Sequence, residues 1–420
     1  GVTSIVRSLD LNPKHYNSLL NFFHSSAFDL KKLMQLWLKI IFKSKIHIIV
    51  NERIVLNGDH TKQPKDGRKI PGMTTMHQDS ETSSKPSYFR GHHIGCIGIV
   101  INALGQLRTL PLLASIQEGT GQYHIERKIS KIEQMMNMAY DITLASGKNS
   151  FLVLDAYFAV GPVFEYAKNI AKENIKPIHI LTRAKKNIVA YFEPKKKKTK
   201  QRGRPQKYGK AIKLYELFTK PIYKFSKSSA MMYKEKTIYN YLILDLYWKP
   251  AGAIIRFILI KSKFGNIILM TTDLTMTSEI AVELYCGRAT IESLFNILKN
   301  ILGGLNYRFW SKSLERSSRS PKSDNDIIKK TTNKKNTINT LAAIEKFINI
   351  QLIIIGLLQI ISIKFPFQTF KNARSWTRTV SNIAPSEFIT RKAISNIIKE
   401  NLSDFHKDAI TNIIKEKACK

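Results

Sequence analysis

The chain has 420 residues, enough to bury a substantial core and to form two to four structural units. Its 67 Lys and Arg against 31 Asp and Glu give a formal net charge of +36, a field that disfavours cationic partners and favours polyanions. Nucleic acid is the simplest such partner, with an anionic membrane surface as the rival, although abundant Lys, Ile and Asn throughout suggest that AT-rich coding inflates the charge. Cys96, Cys286 and Cys419 stand at neither disulfide-pair nor metal-type spacing, which suits a reducing intracellular compartment.

The sequence opens GVTSIVRSLDLNPK, with no initiator Met and no signal peptide, and reads as a fragment or a processed product. Residues 1–50 carry apolar side chains every three or four positions and predict helices. RIVLNGDHTK then reads as a short strand ending at Asp59, followed by a polar loop from Lys62 to Ser87. HHIGCIGIVI and LRTLPLLASIQ, joined by NALGQ, predict a hairpin, and KISKIEQMMNMAYDITLA an amphipathic helix. SFLVLDAYF is a buried strand ending on Asp155; Pro162 opens the next helix, and KPIHILTRAK is a further strand.

From about Asn187 to Thr272 a basic tract, KKKKTKQRGRPQK, precedes three β-like runs, TIYNYLILDLYW, AIIRFILIK and NIILMTTDL. A helix starting near Thr277 contains YCGRATIESLFNILK, and a polar Lys/Ser/Asn-rich loop follows it. FINIQLIIIGLLQIISIKF, Phe347 to Phe365, is apolar enough to suggest a membrane span. Asn349, Gln351 and Gln359 interrupt it and no second span accompanies it, so a buried core helix is expected. The last 55 residues predict short helices, and there is no internal repeat.

Two strand-end aspartates, Asp59 and Asp155, placed side by side in a mixed sheet could hold divalent cations, although either alone is as well read as a turn residue. Within YCGRATIESLFNILK, Tyr285, Arg288, Glu292 and Lys299 fall in one helical sector roughly 60° wide at about 100° per residue. An ordinary i, i+4 ion pair accounts for Arg288 and Glu292 but leaves the other two as coincidences. A functional face uses all four, with Glu292 for metal, Arg288 and Lys299 for phosphates, and Tyr285 for a phosphate or sugar hydrogen bond. RGRP, with Arg202 and Arg204, resembles the core of an AT-hook reaching into the minor groove, or is simply a solvated loop. Trp310 either stacks on an unpaired base or packs in the core. His92, His93 and Cys96 are three candidate zinc ligands without a fourth, and GKNS at 147–150 lacks phosphate-loop spacing.

Tyr-x2-Arg-x3-Glu-x6-Lys is the signature of DDE transposases of the insertion-sequence-4 family, and YCGRATIESLFNILK resembles it without departure. VLNGDHTKQPKDGRKIPG is similar to the family's first-aspartate block and FLVLDAYF to its second. ILTRAKKN, the GRPQKYG loop, MTTDL and LNYRFWSK are also similar, so the resemblance spans roughly Asn51 to Trp376.

The resemblance implies an α/β, RNase H-like mixed sheet with flanking helices, formed by 51–186 and 273–365 and interrupted by a β-rich insertion at 187–272. A helical N-terminal DNA-binding region (1–50) and a helical C-terminal region (366–420) would flank it. The segment before Asp59 is short for a protein that recognises terminal repeats, which suggests that part of an end-binding domain is absent. Asp59, Asp155 and Glu292 would be the catalytic residues and the ligands of two Mg²⁺ ions, with Mn²⁺ as a substitute. Tyr285, Arg288, Lys299, Arg183, Lys185, Arg202, Arg204 and Trp310 would contact DNA. Water would cut the element's end, and the freed 3′-OH would attack target DNA. The implied partners are double-stranded DNA with terminal inverted repeats, target DNA and a second copy of the chain, with no membrane, in a bacterial cytoplasm at the nucleoid. The alternatives are a decayed DNA-binding remnant, an RNase H-fold nuclease without strand transfer, and a membrane-associated protein built on Phe347 to Phe365.

Overall fold

In the computed structural model the described residues are 2–8, 12–27, 29–77, 87–117, 129–172, 177–194, 206–316, 331–376 and 383–403. Their β-branched, Ile- and Val-rich runs favour strands and build a 13-stranded sheet. At its centre is β2 (Arg53–Pro64), whose first residues pair antiparallel with the short β1 (Ile49–Val50). On one side β2 pairs antiparallel with β4 (Tyr88–Ala103), which carries β3 (Thr74–His77) and β5 (Gln106–Ile116). On the other side β2 pairs parallel with β6 (Ser150–Leu154), and β6 parallel with β7 (Ile178–Arg183). The order β5-β4-β2-β6-β7, three antiparallel strands followed by two parallel ones, is an RNase H-like mixed sheet.

Parallel strands need crossover helices. α4 (Lys131–Ser146) leads into β6 and α5 (Gly161–Lys172) into β7. The N-terminal α1 (Val2–Ser8), α2 (His15–His24) and α3 (Leu30–Ser44) precede the sheet. Beyond β7 the sheet does not stop. β8 (Val189–Tyr191), β9 (Ala211–Lys213), β10 (Ser226–Met232), β11 (Glu235–Trp248), β12 (Ala253–Ser262) and β13 (Gly265–Thr271) extend it, with β13 antiparallel to β7. The β-rich segment therefore continues the central sheet instead of forming a sheet of its own.

Two expectations change. Asp59 does not end its strand: Thr61 to Pro64 stay paired with Gly91 to Ile94, because β4 is long enough to carry them. The expected loop after Lys62 contains β3, and its residues 78–86 lie outside those described.

After β13 come α6 (Ser278–Arg288), α7 (Thr290–Asn296), a π-turn (Ile297–Ile301), and then α8 (Lys334–Lys364), α9 (Pro366–Ala373) and α10 (Glu387–Ser403). By length and composition α8 is the one helix among the described residues able to cross a membrane; half of its apolar stretch is buried. Asn349 and Gln359, two of its polar interruptions, and Glu345 just before the apolar stretch have partners on β5. Asn349 accepts the Ala114 N–H at 2.9 Å and donates to the Ala114 carbonyl at 2.7 Å. Glu345 accepts the Ile116 N–H at 2.8 Å, and Gln359 donates to the Thr109 carbonyl at 3.3 Å. All three grip β5, whose outer backbone edge no other strand covers among the described residues. Gly356 lets Trp37 of α3 press against α8, since a Cβ there would stand 2.3 Å from the indole.

Replacing Asn349 with Ala strands a buried N–H and a buried carbonyl at once. Urea unfolding should show a loss of about 2–4 kcal/mol; a loss below about 0.5 kcal/mol would mean that α8 holds β5 by apolar contact alone.

Candidate active site

The parallel register of β2 on β6 runs from Ile54 opposite Ser150 to Asn57 opposite Val153. Carried forward, it sets Asp59 beside Asp155, and both line one cleft of about 830 Å³. Asp155 caps a short 3-10 turn, its Oδ1 accepting the Tyr157 N–H at 3.1 Å, while its carbonyl accepts the Thr182 hydroxyl. Asp59 is 17% exposed; its Oδ1 accepts the His60 N–H at 2.7 Å and its Oδ2 takes Arg288 Nη1 at 3.0 Å. The other guanidinium nitrogen, Nη2, reaches Glu292 Oε1 at 3.2 Å. Arg288 thus spans the two carboxylates, one from the sheet and one from the helix.

The helix is held by its own start. Asp273, in MTTDL, accepts Arg53 Nη1 at 3.1 Å and the Thr275 N–H at 2.9 Å, tying the beginning of β2 to the turn before α6. Thr277 then caps α6. The segment does not continue as one straight α-helix. At Ala289 two bonds tighten to i→i−3, Ala289 N–H to Cys286 O at 3.3 Å and Glu292 N–H to Ala289 O at 3.1 Å. The π-turn then widens the helix around Lys299.

Of the four residues of the expected helical face, Tyr285 and Lys299 line different cavities. Arg288 bonds both Asp59 and Glu292. Lys299 lines the carboxylate cleft and donates to the Lys62 carbonyl at 3.0 Å. Tyr285 lines a separate cavity of about 310 Å³ with Arg183, Lys186 and Tyr233, while the Arg288 guanidinium lies 5.8 Å from its ring centroid. Lys185 is exposed in the turn after β7, and Lys186, not Lys185, lines that cavity. Trp310 is 55% exposed in a third cleft of about 1160 Å³, with Lys65, Arg68, Lys69 and Arg308; this cleft shares Pro64 with the carboxylate cleft. Arg202 and Arg204 lie outside the described residues.

His60, Lys131 and Tyr157, none of them a sequence candidate, also line the cleft, as does His93, a candidate only for zinc. The signal was partly visible in the His92-His93 pair. Neighbours on a strand face opposite ways. His93 packs on His60 with ring centroids 4.5 Å apart, whereas His92 bonds the Tyr307 hydroxyl and the Pro71 carbonyl. The two histidines therefore cannot share a zinc ion.

Burial, and then the neighbouring Asp155, push the Asp59 carboxyl up to about 6. Burial likewise raises Asp155. Carboxylates so placed are short of positive charge. As the side chains stand, no three His, Cys, Asp or Glu among the described residues are close enough to hold a metal ion. Glu292 is 65% exposed and paired with the Arg288 guanidinium that also bonds Asp59. A cation between Asp59 and Glu292, in an oxygen-only donor set, is what a hard divalent ion would replace.

The transposase DDE domain model matches residues 122–348, more than half of the chain. The chain belongs to the DDE transposase family. The matched span holds Asp155, Arg183, Tyr285, Arg288, Glu292, Lys299 and Trp310, while Asp59 precedes it. Membership implies DNA as the class of partner. No curated protein matches the chain. Among solved structures, the NurA nuclease from Sulfolobus solfataricus is 11% identical, covering 71% of this chain and 100% of its own, with a TM-score of 0.22.

In metal-free buffer both folded and unfolded chains hold the Asp59 proton below about pH 4, but between about 4 and 6 only the folded chain does. This group's contribution to stability therefore falls as pH rises through that window. Asp59→Asn should gain on wild type from pH 4 to pH 7 by on the order of 2 kcal/mol in thermal unfolding with EDTA. A difference that does not change with pH would contradict the buried-carboxyl account.

Proposed function

We propose that this chain is a metal-dependent DNA transposase of the insertion-sequence-4 type, in which Asp59, Asp155 and Glu292 hold two Mg²⁺ ions, or Mn²⁺ in their place. The observation that supports this reading most is the Arg288 guanidinium clasped by Asp59 and Glu292 beside Asp155. When bound, the two ions would activate an oxygen nucleophile and stabilise the leaving 3′-oxygen. The protein's own groups orient the DNA. Arg288, released from the carboxylates, offers its fork to a phosphate. Lys299, beside Asp59 and Asp155 in the same cleft, supplies a second positive contact, and Tyr285 with Arg183 holds the backbone one step away.

The reaction needs no protein nucleophile. A water oxygen bonds to phosphorus at the element's end while the 3′-oxygen leaves and takes up a proton. That 3′-OH, losing the proton again, attacks a target phosphodiester and displaces its 3′-oxygen. Double-stranded ends with inverted repeats, target DNA and a second copy of the chain to pair the two ends complete the proposal.

The purified chain should nick supercoiled plasmid in Mg²⁺, and Glu292→Gln should lower the rate by about 100-fold or more, the scale on which ligand loss removes metal-ion catalysis. Precut ends bearing a 3′-OH should be joined to a target plasmid by the wild type alone. Equal nicking by wild type and Glu292→Gln would overturn the enzyme reading; nicking without joining would reduce it to a nuclease.

A further inference from the structure

A chain of buried and half-buried hydrogen bonds crosses the sheet beneath the break between α6 and α7. Asn57 Nδ2 donates to Thr109 Oγ1 at 2.8 Å, Thr109 Oγ1 meets Thr290 Oγ1 at 2.6 Å, and the Thr290 hydroxyl donates to the Gly287 carbonyl at 2.7 Å. The last bond fixes the direction of the rest. With its proton committed to Gly287, Thr290 can only accept, so Thr109 donates to it and accepts from Asn57. Asn57 Nδ2 also approaches the Gly287 carbonyl, at 3.4 Å.

The span is unusual. Asn57 is on β2 and Thr109 on β5, with β4 between them, so the strands lie about 9.6 Å apart at the usual spacing. The bond passes over Gly98, the residue of β4 paired with Asn57. A Cβ at Gly98 would stand 2.4 Å from Thr109 Cγ2 and close the route. Asn57 and Thr109 are 0% and 1% exposed, so the Asn57–Thr109 bond is shielded from solvent, while Thr290 is half-buried.

The bonds end on Gly287 and Thr290, the residues flanking Arg288 and Ala289 at the helix break. Asn57 lies two positions before Asp59 on the same face of β2. One strand face therefore holds both the helix break and the carboxylate that receives Arg288. We propose that Asn57, Thr109 and Thr290 are positioning residues, which set the helix break so that Arg288 and Glu292 project toward Asp59. They touch no substrate and act through Glu292 and Arg288; the inference rests on the role proposed for those residues.

The test compares Thr109→Val, which removes both bonds at the centre of the chain, with Thr109→Ser, which keeps the hydroxyl. Thr290→Val, at a half-buried site, is the second variant should Thr109→Val fold poorly. Mn²⁺ affinity of the DNA-free chain is measured by calorimetry, and kcat and KM for plasmid nicking are measured separately. Thr109→Val and Thr290→Val should weaken Mn²⁺ binding and lower kcat by about 10-fold or more, the usual cost of losing a residue behind a ligand, with KM for DNA within about twofold. Thr109→Ser should stay close to wild type. Valine variants that bind Mn²⁺ and cut like an active wild type, or a serine variant that falls as far as valine, would overturn the positioning role and leave the proposed function standing. A wild-type chain that neither binds Mn²⁺ nor cuts would overturn both.

Discussion

Two carboxylates buried side by side repel each other and resist ionisation, and the site is organised around that constraint. The parallel register of β2 on β6 forces Asp59 and Asp155 together at the sheet's centre, where burial already disfavours their charged forms. Something positive has to stand between or beside them. In the chain itself that is Arg288, delivered from the end of α6 and shared with Glu292. The geometry that makes the aspartates costly in isolation also favours positive charge beside them.

The rest of the fold serves to deliver that helix accurately. The Arg53–Asp273 pair joins the first strand of the core to the turn before α6, across 220 positions of sequence. The hydroxyl chain over Gly98 fastens the other end of α6. Behind both, α8 closes the edge of β5 with Asn349 and Glu345, so the strand carrying Thr109 is held from both sides. The β-rich segment, being an extension of the same sheet through β13, brings Tyr233 next to Tyr285 and so adds a wall to the cavity beside the site.

Much of this was legible in the sequence. The SFLVLD run and Pro162 mark a strand followed by a helix start, which is how Asp155 comes to lie at a strand end. Spacing alone put Arg288 and Glu292 together. The end of β2 was not legible, because HTKQP looks like a loop and is held in the sheet only by the length of β4, decided thirty residues later. Nor was the broken helix. An ideal 100° wheel groups Lys299 with Tyr285 and Arg288, whereas a tight turn at Ala289 and a π-turn after Asn296 intervene, and Tyr285 and Lys299 line different cavities. Asn57, Thr109 and Thr290 carried no local signal, since each partner is at least 52 positions away from Asn57 or Thr109 and the route depends on a missing side chain at Gly98.

The central claim is that β2, the turn after β6 and α7 converge on one cation site. Loading the metal-free chain with Fe²⁺ and generating hydroxyl radicals by ascorbate and peroxide maps that site directly, because the backbone is cut only near the bound ion. The account predicts cuts clustered around residues 59, 155 and 292, suppressed by excess Mg²⁺ and lost in Asp155→Asn. Cuts at one of the three segments without the others, or cuts that Mg²⁺ does not suppress, would contradict it.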